Sequence, residues 1–179
     1  PLGRLADVWS RKKLISIGLV TWSLMTALSG TAKSFFSLSV YRVGVGIGES
    51  SASPASYSLL SDYFPPKVRT TILAIFSSGV YIGAGIGIFL GGWIVELWNN
   101  AYPDPSLAPF GLRGWQAAFM GVGIPGLILA LFTWQIKEPK RSMSDGIETP
   151  EHPHPFKEML NEFVGITPLA LLGSKQYKK

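Results

Sequence analysis

The chain of 179 residues contains no cysteine and only two histidines, and charged residues make up just 15% of it. The missing cysteines exclude a disulfide framework, thiolate metal sites and a thiol nucleophile together. Soluble chains carry about 25% charged residues, so a chain this poor in charge has surface that need not meet water. No glycine-rich loop ends in Gly-Lys-Ser/Thr, which removes the phosphate cradle of an ATP hydrolase. What is present is apolar: hydrophobic residues make up 47%, and there are 20 glycines. Lys and Arg number 16 against 11 Asp and Glu, a net +5. These bases form no single face for nucleic acid; they collect between long apolar runs.

Four such runs stand out. Residues 14–32 hold no charge and are closed by Lys33; residues 35–61 carry only Arg42 and Glu49 in their interior. Residues 72–98 carry one acid, Glu96, near their far end, and residues 115–136 carry no charge. A helix rises about 1.5 Å per residue and the bilayer core is about 30 Å thick, so each run is long enough to cross. None shows the polar stripe at 3.6-residue spacing that a soluble bundle needs. The expected fold is therefore all-α: a polytopic membrane protein with spans at about 14–33, 35–62, 71–98 and 115–136.

Lys and Arg collect on the cytoplasmic side of membrane proteins. Arg4, Arg11, Lys12, Lys13, Lys67, Arg69, Lys137, Lys140 and Arg141 fall on one side, and only Lys33 and Arg113 on the other. Both visible ends are expected to be cytoplasmic, in a plasma or bacterial inner membrane. The stretch 99–114, with three prolines that break helix, is expected outside. Residues 140–155 read as a Pro-rich cytoplasmic linker. His152 and His154 lie there without enough further ligands for a metal, so neither metal nor cofactor is expected. Within 156–179, Phe156, Met159, Leu160 and Phe163 share a helical face, followed by an apolar stretch too short to span. The first residues read as an interior loop, and the chain as a piece of a longer protein.

A charge inside a span costs several kcal/mol, roughly 2.5 to 3.5 on insertion scales, unless it has a partner or a water-filled cavity. Arg42 and Glu49 are seven residues apart. Seven steps of about 100° return to within about 20° of the start, so both side chains leave one face, about 10 Å apart along the axis. A midplane carboxylate on a cavity can take up and release a proton, with burial raising its pKa and a guanidinium lowering it. The other reading is an ion pair that locks the helix to a neighbour. In the third run Gly79, Gly83, Gly87 and Gly91 recur every fourth residue, the pattern of a close helix-packing seam or a sliding surface. Tyr81, on the same run, is a candidate for lining a cavity or filling core. Pro54 and the pair Pro125 and Gly126 interrupt backbone bonding as flexing points or fixed kinks.

Gly3-Arg4-Leu5-Ala6-Asp7 followed by Arg11-Lys12-Lys13 resembles the signature loop between helices 2 and 3 of the major facilitator superfamily, with Val8 and Ser10 departing from it. Tyr41-Arg42-Val43-Gly44-Val45-Gly46-Ile47-Gly48-Glu49, Ser61-Asp62-Tyr63-Phe64-Pro65-Pro66 and Leu90-Gly91-Gly92-Trp93-Ile94 resemble the spinster branch. The glycine-rich third run lacks the Gly-Pro of antiporters, since Ile86 follows Gly85. The resemblance implies helices 3 to 6 of a twelve-helix transporter, with helices 1, 2 and 7 to 12 as missing partners. It implies a cytoplasmic gate at Gly3, Asp7, Arg11 and Asp62, in which Asp7 meets a helix start of the other half and Arg11 pairs with Asp62. It also implies coupling or binding at Glu49, and an anionic head group would suit Arg42 beside it.

The function expected is secondary transport of a small organic or lipid-like solute, including anionic amphiphiles, by alternating access and coupled to protons. A passive uniporter and a non-transporting sensor or interaction subunit are the alternatives. A lipid-directed membrane enzyme would need convergent acids or nucleophiles at one depth, and Glu49 is the one acid deep in a span. No enzyme is expected.

Overall fold

The computed structural model describes residue 6, residues 9–139 and residue 160. The expected linker with its two histidines lies outside the described residues, as does the terminal amphipathic segment apart from Leu160. Four long helices make up the fold: α1 Arg11–Ser29, α2 Phe35–Tyr63, α3 Pro66–Ala101 and α4 Gly114–Gln135. Among the described residues there is no strand.

Local chemistry sets the ends of each helix. Ser10 caps α1 by accepting from the Lys13 N–H, and Ser34 and Ser37 form a reciprocal capping box at the start of α2. Pro66 occupies the first turn of α3, where its missing N–H costs nothing. The helix therefore begins six residues before the apolar run at Ile72, because its hydrogen bonding extends past the stretch that hydropathy marks. Between α3 and α4, Pro105 and Pro109 open two short 3-10 turns, Pro105–Leu107 and Pro109–Gly111. Asp104 caps the first of these by accepting from the Ser106 N–H at 2.9 Å, and that bond holds its carboxyl below the usual range. Pro54 and Pro125 lie inside continuous helices.

The helices run antiparallel to their chain neighbours, with α1 between α2 and α4. The α1–α2 crossing sits at Gly18 and Gly48. A Cβ on Gly48 would lie 2.7 Å from the Trp22 amide nitrogen and 2.8 Å from the Gly18 carbonyl oxygen. The α1–α4 crossing uses Gly123, where a Cβ would lie 2.7 Å from the Ala27 nitrogen. Further along, Ser16 and Thr133 share a hydrogen bond of 2.9 Å. The α3 helix leans on α4, with Val95 and Asn99 close to Gly114. It touches α2 through Tyr57, which bonds the Ser77 hydroxyl at 2.7 Å and meets Phe76 edge-on.

Burial is inverted relative to a soluble protein. The buried side chains are mostly small, among them Ala55, Ala117, Ala130, Ser16, Ser23, Ser29 and Ser51, while large apolar side chains such as Ile88, Phe89 and Leu131 face outward. Helices in lipid gain nothing from hiding leucine from its neighbours, so they pack where small residues let backbones approach. By length and apolar composition α3 and α4 qualify as membrane spans. In α1 and α2 that measure is diluted by the serines, glycines and charges that make the contacts of the bundle.

The glycine face expected in the third run finds no packing neighbour among the described residues. A Cβ at Gly79, Gly83, Gly87 or Gly91 would meet no described atom within 4 Å, and α3 has no buried residue. It reaches its described neighbours through other residues, and among the described helices the glycines in close approach lie on α1, α2 and α4. In this chain, Gly48→Ala is expected to lower stability by about 1–3 kcal/mol through overpacking against backbone. Gly83→Ala should leave stability unchanged or raise it slightly. Thermal unfolding in detergent measures both; equal effects would remove the assigned crossing.

Candidate functional site

Two groups of charge stand apart from the apolar body. The first gathers at the end of the bundle where α1 starts and α2 and α4 finish. Arg11 is 1% exposed although charged, so its donors need partners. One guanidinium nitrogen, Nη1, donates to the Asp62 carboxylate, to the Ser58 carbonyl at 3.3 Å and to the Ser58 hydroxyl at 3.2 Å. Nη2 donates to the Pro139 carbonyl at 3.0 Å, and Nε to Glu138 Oε1 at 3.4 Å. Glu138 also accepts from the Arg11 backbone N–H at 2.6 Å and from the Ser10 hydroxyl at 2.5 Å. Tyr63 donates to the Lys137 carbonyl.

Helix electrostatics account for the arrangement. Glu138 stands at the N-terminus of α1, where an anion gains from the helix dipole. Asp62 stands in the last turn of α2, the wrong end for an acid, and the guanidinium offsets that repulsion. One buried cation thus joins α1, α2 and the segment that leaves α4.

Of the expected gate residues, Arg11 and Asp62 are in contact; Gly3 and Asp7 lie outside the described residues. Glu138 is not flagged by sequence reasoning, and Ser10 only as a departure from the signature loop. The available signal was an acid and a proline immediately after an uncharged span, which reads more readily as the start of a linker.

The second group is on α2. Gly44, Gly48, Ser51, Ala55 and Leu59 form its stripe against α1. Glu49 is about 100° and Arg42 about 120° around the helix from Gly48, and both are exposed. They share a flank without an ion pair. Arg42 lies with its guanidinium carbon 4.3 Å from the centre of the Phe119 ring on α4. That cation–π contact is worth roughly 0.5–1 kcal/mol where exposed and more when dry. Glu49 makes no hydrogen bond or ion pair with a described residue. Tyr81 on α3 is 81% exposed.

Because Asp62 and Glu138 share one guanidinium, their losses should not add. Asp62→Asn and Glu138→Gln are each expected to destabilise the protein, and a double-mutant cycle by thermal unfolding should give a coupling of roughly 0.5–3 kcal/mol. Additivity within error would mean the two acids act independently.

A sequence profile of the Major Facilitator Superfamily matches residues 1–174. The chain is 30% identical over 144 residues to Protein spinster of Drosophila melanogaster, covering 80% of this chain and 22% of that protein. It is 32% identical over 145 residues to the Sphingosine-1-phosphate transporter SPNS2 of Danio rerio, covering 80% and 26%. A solved structure, an inward-facing and occupied bacterial homolog of the human lysosomal transporter Spinster, superposes with a TM-score of 0.74 at 34% identity, covering 82% of this chain and 34% of that one. The chain spans about a quarter of the length of these two curated relatives. Matched by that profile over nearly all its length, this all-helical membrane chain belongs to the Major Facilitator Superfamily, in its spinster-like branch.

Proposed function

We propose that the chain supplies part of one half of a secondary transporter that moves a small organic or lipid-like solute by alternating access. The observation that carries this reading is the exposed flank of α2 with Arg42 and Glu49. Ionisable groups within a span mark solute or ion pathways, and two transporter halves enclose a site near the midplane. Arg42 suits an anionic head group, and the sphingosine-1-phosphate named for a relative is such an amphiphile. Glu49, with no partner among the described residues, is assigned the proton that drives uptake.

The Arg11 cluster is assigned to the cytoplasmic gate. A contact made in one state and absent in the other biases the equilibrium by its own free energy. By the family resemblance Asp7 faces the other half beside it. The excess of basic residues supports a cytoplasmic position for this end and for both ends of the chain.

The test is uptake by the full-length transporter in liposomes. Glu49→Gln keeps shape and hydrogen bonding but cannot ionise, so pH-driven uptake should vanish while solute binding persists. In the same assay Asp62→Asn should lower turnover more than binding. Undiminished pH-driven uptake in Glu49→Gln would replace coupled transport with a passive uniporter, and no flux in the unaltered protein would point to a sensor.

Sidedness has its own measurement. A cysteine at Ser106 should react with an impermeant reagent from outside; reaction only from the cytoplasmic face would invert the topology.

A further inference from the structure

At the end of the bundle opposite Arg11, a cavity of about 900 Å³ opens between the α1–α2 turn and the start of α4. Its apolar wall includes Phe35, Leu38, Trp115 and Met120, and Phe110 stands at its mouth. Lys33 and Arg113 supply its charge, and no acidic side chain lines it. Gln116 joins the two sides by donating to the Ala32 carbonyl at 3.4 Å.

Neither cation is neutralised by a described residue. The Arg113 backbone N–H bonds the Gln116 side chain at 2.9 Å, while its guanidinium forms no ion pair with a described residue. These are also the two bases that fall on the charge-poor side of the chain, and the acids at that end, Glu96 and Asp104, do not line the cavity. The starts of α2 and α4 border it and add partial positive charge.

Position decides what kind of anion fits. The cavity lies where α2 and α4 begin, the depth at which the ends of spans meet head groups and where aromatic and basic side chains anchor. Phe35 and Phe110 are 87% and 97% exposed, and Phe110 is held at φ 57°, a left-handed conformation that is uncommon for a bulky residue and marks functional segments. A free inorganic anion has no use for an apolar wall. A phospholipid brings a phosphate for the two cations and acyl carbon for the aromatic rim.

We propose that this cavity binds the phosphate head group of an anionic phospholipid in the adjoining leaflet, with Lys33 and Arg113 as its ligands and the aromatic wall against the upper acyl chains. The site is distinct from the Arg42 and Glu49 flank and does not depend on what the transporter carries.

Native mass spectrometry of the full chain in detergent, titrated with phosphatidylglycerol or phosphatidylcholine, tests it. Removing both cations in Lys33→Gln with Arg113→Gln should weaken phosphatidylglycerol binding by about 30-fold, at roughly 1 kcal/mol for each base, and leave phosphatidylcholine unaffected. Arg113→Lys should retain the preference. Lys33→Gln alone, away from the start of α4, should show part of the loss with unchanged thermal unfolding. A double variant that keeps full preference for phosphatidylglycerol would overturn the site. Displacement of the lipid by an equal concentration of inorganic phosphate would also overturn it, because the anion would then bind without its chains.

Discussion

Backbone contact between helices is the constraint on which the rest of this structure depends. In lipid, apolar side chains have no reason to prefer one another over acyl chains, so association must come from close approach. At Gly18, Gly48 and Gly123 that approach leaves no room for a Cβ. Once α1 is held between α2 and α4 in this way, the faces of all three are set. The stripe of α2 that carries Gly44 and Gly48 turns to α1, and the flank with Arg42 and Glu49 turns away from it.

The same geometry brings together the ends where the charge lies. Because α1 and its two neighbours run antiparallel, the start of one helix meets the finish of the other two, which places Arg11 beside Asp62 and Glu138. A buried guanidinium with two carboxylates tolerates little displacement, since removing any one member leaves another unpaired in a poorly solvated site. The cluster therefore ties α1, α2 and the exit from α4 into one unit, while α3 makes fewer close contacts.

Much of this was legible from composition and pattern. Nineteen uncharged residues before Lys33 and twenty-two from Trp115 onward allow few alternatives to a bilayer span, because each unpaired polar group in lipid is costly and a helix satisfies its own backbone. The shared face of Arg42 and Glu49 follows from helical repeat alone. The pairing of Arg11 with Asp62 came from family resemblance, since no local rule joins residues so far apart in the chain.

Tertiary structure decided the rest. The row Gly79, Gly83, Gly87 and Gly91 is the more regular glycine pattern, yet the crossings fall on Gly18, Gly48 and Gly123. A spacing of four gives a smooth face but not the neighbour that will use it. Glu138 reads as a residue between the fourth span and the linker until the antiparallel bundle brings it back to the start of α1. Lys33 and Arg113 likewise become neighbours of one cavity only when two turns meet at the same end. Sequence by itself determined that these segments are helices suited to lipid and which residues share a face, because both depend on the backbone and its period. Which faces meet depended on long-range packing among surfaces of nearly equal hydrophobicity, and only the folded chain resolves that choice.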